Sequence, residues 1–222
     1  MRFDVEVALT RGNDWVVVVP VKHLSRAKSR LNSVGVPRLD ALALAFFQDT
    51  AAAALACPAV DHVIVATSDP RVSSWATESG CSVFDDTGHA GINAAASGAA
   101  QLAPSAPVAV LVSDLPCATP DSMAVCLELL ARHPRSFLSD AAGTGTTLWT
   151  RLPGEPTDPR FGAESTVAHR RSGAVAIVDE MGDMSMLERM RRDVDTPADL
   201  ADALRLGVGR HTATAVAGLD VP

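Results

Sequence analysis

The sequence predicts an α/β fold built on a doubly wound, mostly parallel sheet. Three observations carry that expectation. Strand-length apolar runs alternate with helix-length segments across short links. The runs at 15–21 (WVVVVPV), 62–67 (HVIVAT) and 108–112 (VAVLV) are continuous rather than alternating, as in strands buried on both faces. The second and third stop at Ser68-Asp69-Pro70 and at Ser113-Asp114-Leu115-Pro116. Asp114 thereby stands at the carboxyl end of a central strand, where open α/β sheets bind ligands.

Taken in order, residues 1–13 are a polar lead-in, and 15–21 form the first strand. The basic segment Lys22-His23-Leu24-Ser25-Arg26-Ala27-Lys28 follows it. A basic loop after a first strand is where a nucleotide fold receives phosphate. With no glycine before Gly35 the segment is neither a Walker loop nor a GxGxxG turn, and a plain solvated face is the alternative. Residues 39–55 read as a long helix, apolar nearly all round and ended by Cys57-Pro58. Then come strand 62–67, a helix from Pro70 to about Glu78, a short strand 81–84 and a polar loop, 85–93 (DDTGHAGIN). An Ala-rich helix 94–102 leads to the strand at 108–112. Beyond it the pattern gives helix 121–133, strand 136–139, a Gly-Thr-Gly-Thr turn at 143–146, strand 147–151 and a proline-punctuated loop. A helix opened by 161–165 (FGAES), strand 174–178 and helix 198–206 complete it. Residues from Gly207 onward receive no assignment.

A chain of 222 residues, 47% hydrophobic and 20% charged, suits one large domain spanning 1–222, with 1–13 and 210–222 peripheral. A formal net charge of −7 argues against nucleic acid as a partner. The longest apolar stretch, 39–56, is interrupted by Asp40, Gln48, Asp49 and Thr50, which argues against a membrane span. Cys57, Cys81, Cys117 and Cys126 show no metal-binding spacing and no signal-peptide pattern precedes them, so reduced thiols in the cytoplasm are expected. The chain has 17 arginines but only two lysines, Lys22 and Lys28, both in the loop after the first strand. Such pairing suggests positions that need a compact ammonium rather than a planar fork.

Asp193 and Asp195, two apart, project to one face of an extended segment. Like charges so close favour a cation between them, and hard carboxylate oxygens suit Mg²⁺. Asp114 joins them as a third strand-end carboxylate, with a turn or cap role as the alternative. Thr196 reads as an N-cap with Pro197 at the first helical position. The Gly-Thr-Gly-Thr turn either cradles an anion or is an ordinary tight turn. Gly162 and Ser165 open a helix whose positive end suits an anion. His169 on that helix reads as a hydrogen-bonding residue rather than a base, and no hydrolase triad can be placed.

In this order, VVPVKHLSRAKSRL, GINAA, SDLP, GTGT, RFGAES…HRRSGA and DVDTPADL resemble the phosphoenolpyruvate guanylyltransferase / 2-phospho-L-lactate guanylyltransferase family, from about residue 15 to about residue 209. The resemblance implies the molybdenum-cofactor-guanylyltransferase-like nucleotidyltransferase fold and a place in the biosynthesis of the deazaflavin coenzyme F-420. It implies Asp114, Asp193 and Asp195 as ligands for Mg²⁺, two ions being expected. It implies Thr146, Gly162 and Ser165 as contacts to phosphoenolpyruvate, and Lys22, Lys28 and Asn93 on the nucleotide side, with Lys22, Lys28 and Asp114 catalytic. Residues 180–191 match no motif.

The reaction so implied is transfer of GMP from GTP to the phosphate of phosphoenolpyruvate, releasing pyrophosphate. A phosphate monoester, with a second pKa of about 6, is already a dianion at neutral pH and needs no general base. Three alternatives stay open: the same chemistry on 2-phospho-L-lactate, another nucleotidyltransferase of this fold, and a nucleotide-binding module without catalysis. The sequence leaves the oligomeric state, a homodimer included, undecided.

Overall fold

A computed structural model of the protein describes residues 15–26 and 39–217. Seven strands form one sheet: β1 (Trp15–Pro20), β2 (Val60–Ala66), β3 (Ser82–Phe84), β4 (Val108–Leu111), β5 (Arg135–Ser139), β6 (Thr146–Arg151) and β7 (Val175–Ala176). Their order is β3-β2-β1-β4-β6-β5-β7. Every pairing is parallel except the two made by β6, which runs antiparallel to both β4 and β5. The sheet is therefore mostly parallel, as expected. The chain winds outward from β1 to β3, then returns to lay β4 on the other side of β1. The carboxyl ends of β1 and β4 flank that reversal, so a crevice opens there.

The strands are buried on both faces, and alternate residues feed two different cores. Val17, Val19, Val63, Val65, Leu111 and Leu148 share one core with α1 (Leu39–Leu55) and α4 (Pro120–Leu130). Val16, Val18, Ile64, Val110, Phe137 and Trp149 pack with the alanines of α3 (Ile92–Ala100), whose small side chains let that helix approach the sheet closely. The nearly all-round apolar character of α1 has a structural reason. Phe47 and Ala51 face the sheet-side core, while Leu42 and Phe46 join Val194, Leu200 and Ala203 in a third cluster beneath α7 (Pro197–Leu206).

Two buried polar residues of α1 tie down distant segments. Thr50 Oγ1 donates to Phe46 O and accepts from Leu115 N at 3.0 Å, which pins the turn after β4. Asp49 accepts from His211 N and Thr212 N, capping α8 (Arg210–Val216) against α1. The sequence leaves that last helix unassigned. Its cap comes from a carboxylate about 160 residues away, which no local pattern shows.

The remaining helices are α2 (Pro70–Glu78), α5 (Ser165–Arg171) and α6 (Glu188–Arg191). Thr196 caps α7 through a reciprocal box with Asp199, with Pro197 at its start as predicted. The strand expected over 174–178 stops at Ala176 and gives way to a 3-10 turn, Ile177–Glu180. Residues 193–195 form no strand of the sheet. Val194 is fully buried, and its N–H donates to Asp114 O at 3.1 Å. All four cysteines are free and buried, and no described helix is long and apolar enough to cross a membrane.

Candidate active site

The crevice between the carboxyl ends of β1 and β4 holds a cavity of about 200 Å³, lined by Pro20, Val21 and Lys22 from one side and by Val112, Ser113 and Asp114 from the other. Asp195 completes its wall. Lys22 is exposed and faces the same space as two of the three carboxylates singled out in the sequence. A second cavity, about 440 Å³, opens on the β2 and β3 side of Lys22 and shares Pro20, Val21, Lys22 and Ile92 with the first. The two make one trough, with Lys22 at its middle.

Asp69, in the turn after β2, ties down the segment that follows that lysine. Its Oδ1 caps α2 by accepting from Arg71 N and Val72 N, and its Oδ2 accepts from Leu24 N at 2.9 Å. Burial pushes its carboxyl up, but the three backbone donors outweigh burial and leave it below its ordinary value. One buried carboxylate thus holds the segment after β1 to the end of β2. Lys28, the second expected lysine, lies outside the described residues.

Asp193 is the most perturbed acid of the site. Burial first, then the neighbouring Asp114, Asp140 and Asp195, push its carboxyl up to about 7. The Val194–Asp114 backbone bond brings this segment against the end of β4, so Asp193 and Asp195 share one field with Asp114, far from them in sequence. Sequence reasoning missed the fourth, Asp140. It follows β5 directly, the same strand-end signal that singled out Asp114. Its carboxylate accepts from Thr144 N and Gly145 N at 3.0 and 2.9 Å. Those two turn amides are therefore occupied from within the chain, as in the ordinary tight turn that the sequence left as one of two readings. Gly145 is required here because a Cβ would stand 2.4 Å from Asp140 Oδ2. Asp140 adds negative charge near Asp193 while its own oxygens hold the turn.

On the far side of that turn, Thr146 and Ser165 are buried together, Ser165 Oγ lying 3.1 Å from Thr146 Oγ1. His169, fully buried, binds Thr146 Oγ1 through Nδ1 at 3.0 Å and accepts from Arg160 N through Nε2 at 2.8 Å. Because Nε2 accepts, the proton is assigned to Nδ1, which donates to the threonine. Burial lowers the His169 pKa to about 4, so the imidazole is neutral at physiological pH. Gly162 lies exposed in the loop before α5 at φ +140°, and Glu164 follows in the left-handed region. Asn93 pairs both ends of its carboxamide with the Phe161 backbone, at 2.9 and 2.8 Å. It clips the start of α3 to the loop carrying Gly162. The structure thus gathers Lys22, Asp114 and Asp195 around one cavity with Asp193 beside them, and groups Thr146 with Ser165. Asn93 joins the two halves.

Comparison with solved structures places this fold. A nucleotidyl transferase from Methanothermobacter superposes with a TM-score of 0.59 at 18% identity, covering 87% of this chain and 99% of that one. A protein of the nucleotide-diphospho-sugar transferase type from Desulfovibrio desulfuricans superposes at 0.55 and 17% identity, covering 86% and 96%. Both neighbours are under 20% identical, so they establish the fold, which here carries a lysine and clustered carboxylates at its switch point.

Sequence comparison is more specific. The family model described as guanylyl transferase, CofC-like, matches residues 15–219, and the chain belongs to that family. A phosphoenolpyruvate guanylyltransferase from Streptomyces coelicolor is 48% identical over 210 residues, covering 92% of this chain and 97% of its own. One from Streptomyces scabiei is 46% identical over 217 residues, covering 94% and 98%. The resemblance read from the motifs is borne out, and the enzyme transfers a guanylyl group.

Proposed function

We propose that the enzyme transfers GMP from GTP to the phosphate of phosphoenolpyruvate, giving enolpyruvyl-diphospho-guanosine and pyrophosphate, in the cytoplasmic biosynthesis of coenzyme F-420. The observation that carries the reading is the trough at the switch point, with Lys22 between a roomy cavity on one side and the Asp114 and Asp195 carboxylates on the other. A nucleoside triphosphate has that layout: a base at one end, anionic phosphates in the middle and metal-binding oxygens at the reacting end. The names of the relatives supply the donor moiety and the acceptor.

The residues fit a divalent cation. Asp193 is held protonated toward neutral pH by burial and by its acidic neighbours, a repulsion that a cation would relieve. Among the described residues no group of three or more His, Cys, Asp or Glu side chains forms a ready-made cage. Asp114, Asp193 and Asp195 would therefore hold Mg²⁺ in partnership with substrate phosphate oxygens, as is usual for this ion. The bound ion would supply charge neutralisation at the transferring phosphoryl group.

The chain's own residues do the rest. Lys22 places a compact positive charge against the triphosphate. Thr146 and Ser165, locked by His169, and Gly162 on the adjoining loop present the acceptor side. The acceptor phosphate is already a dianion, so the work is positioning and electrostatics, with no proton to remove. That agrees with the neutral, hydrogen-bonded state of the one buried histidine there.

The test is pyrophosphate release on mixing enzyme, GTP, Mg²⁺ and equal concentrations of phosphoenolpyruvate and 2-phospho-L-lactate, with products identified by mass spectrometry. Enolpyruvyl-diphospho-guanosine is the expected major product. A dominant lactyl product overturns the acceptor, and no pyrophosphate with either acid overturns the reaction.

A further inference from the structure

The loop that carries Gly162 has a backbone that local preference does not maintain. Gly162 stands at φ +140°. Glu164 sits in the left-handed region at φ 55°, ψ 32°, which is uncommon for a residue with a side chain. Such conformations persist where the surroundings over-determine them, and they cluster at working sites. Here several side chains hold the loop. From α5, His169 Nε2 accepts from Arg160 N, and Thr166 Oγ1 donates to Gly145 O. Another hold comes from across the crevice. Asn93, in the first turn of α3, donates through Nδ2 to Phe161 O at 2.9 Å and accepts through Oδ1 from Phe161 N at 2.8 Å. One helical turn further on, Ser97 Oγ lies 3.5 Å from Thr157 O. The Phe161 ring is itself buried beside His169, their centroids 5.6 Å apart. That residue is therefore fixed by backbone and side chain at once.

We propose that Asn93 is a positioning residue for the acceptor, which it serves from the nucleotide side of the crevice by fixing the 160–164 loop and, through it, Gly162 and Ser165. This rests on the reading of phosphoenolpyruvate as acceptor and extends it to the residue that sets the acceptor loop. The motif resemblance puts Asn93 with the nucleotide; its bonds put its effect on the other substrate. Its neighbours show the division of work. Ile92 lines both cavities of the trough, and Gly91 and Ala95 line the larger one. Asn93, between them in sequence, spends both ends of its carboxamide on Phe161. A carboxamide carries an acceptor and a donor side by side in one plane, so it can answer the N–H and the C=O of a single residue as a neighbouring strand would. A carboxylate or a hydroxyl cannot do both with that geometry. The two walls of the crevice are thereby set at one spacing, and the acceptor loop takes its place from the helix that borders the nucleotide.

The experiment measures kcat and both KM values from pyrophosphate release with GTP, phosphoenolpyruvate and Mg²⁺. In Asn93→Ala the KM for phosphoenolpyruvate should rise about tenfold or more, the scale of two lost hydrogen bonds, while the KM for GTP stays within about twofold. Asn93→Asp has the same shape and keeps the acceptor for Phe161 N, but it sets a carboxylate against Phe161 O. It should raise the same KM, and it carries the test if the alanine variant does not fold. Combined with Ser165→Ala, the loss in kcat/KM for phosphoenolpyruvate should be clearly less than additive, because both residues act through one loop. A merely structural role would lower the melting temperature and the active fraction while leaving both KM values alone. A KM that rises for GTP and not for phosphoenolpyruvate gives Asn93 to the nucleotide and overturns the inference. Additive losses overturn it too, as do two KM values that are unchanged or equally raised. In each of those cases the guanylyl transfer stands. Wild-type enzyme that releases no pyrophosphate removes the proposed reaction, and this inference with it.

Discussion

Acidification should expose the burial of His169. The imidazole is completely shielded and its pKa stands at about 4, against about 6.5 for a free histidine. Between those values the unfolded chain takes up a proton that the native state refuses. Stability from this group is therefore complete above pH ~6.5 and is lost as pH falls toward ~4. At about 1.4 kcal/mol per pKa unit, the loss amounts to roughly 3 kcal/mol. That is a large share of the roughly 5–15 kcal/mol holding a typical domain. Asp193 works in the opposite direction over much of the same window. Its raised pKa makes the native state bind the extra proton, so its contribution weakens as pH rises through about 7. The whole-protein curve thus mixes both signs, and a comparison with His169→Gln isolates the histidine. That variant keeps a donor and an acceptor but cannot titrate. Urea unfolding, followed by tryptophan fluorescence, reads both proteins from pH 7.5 to 4.5. The wild type should be the more stable at pH 7.5, and the gap should narrow by about 2–3 kcal/mol at pH 4.5. A gap constant to within about 0.5 kcal/mol would refute the neutral, buried imidazole that locks Thr146 to Arg160.

The remaining predictions concern the carboxylates, the lysine and the turn. Asp193→Asn should raise the melting temperature of metal-free protein at pH 8, where the native carboxylate is ionised among its acidic neighbours. The gain should vanish at pH 5, and turnover should be lost; an unchanged melting temperature at pH 8 counts against the repulsion. Lys22→Arg keeps the charge but not the compact ammonium, so kcat/KM for GTP should fall by about tenfold or more with the fold intact. Unaltered GTP kinetics would make its place in the trough incidental. Gly145→Ala drives a Cβ into the Asp140 carboxylate and should cost about 1–3 kcal/mol in chemical denaturation. In an Asp140→Ala background the same change should cost much less, and additive effects would remove the proposed clamp.

Much of this protein is written locally. Residues 39–55 read as one helix and form one, because a run dominated by alanine and leucine needs no distant partner to choose that conformation. The β-branched runs at 15–20 and 108–111 likewise declare buried strands, and Thr196-Pro197 marks a helix start that the structure places there. Asp114 and Lys22 were visible for the same reason: residues at the ends of central strands inherit their position from the strand itself.

What the sequence could not decide is which strand ends meet. The order β3-β2-β1-β4-β6-β5-β7 depends on pairings such as β1 with β4 and β4 with β6, whose strands lie tens of residues apart in the chain. Only that order sets Lys22 across from Asp114 and carries Thr146 to the same end of the sheet. The partners of buried polar groups are equally non-local. Asp69 holds Leu24, Thr50 holds Leu115, Asn93 holds Phe161 and His169 holds Thr146, across separations of 23 to 68 residues. Asp140 belongs to no motif of the sequence. Its importance comes from what folding places beside it, the buried Asp193 on one side and the Thr144 and Gly145 amides on the other. Helix and strand preferences act over one or two turns of chain, whereas desolvation and charge act through space, and space is assigned only by the tertiary fold.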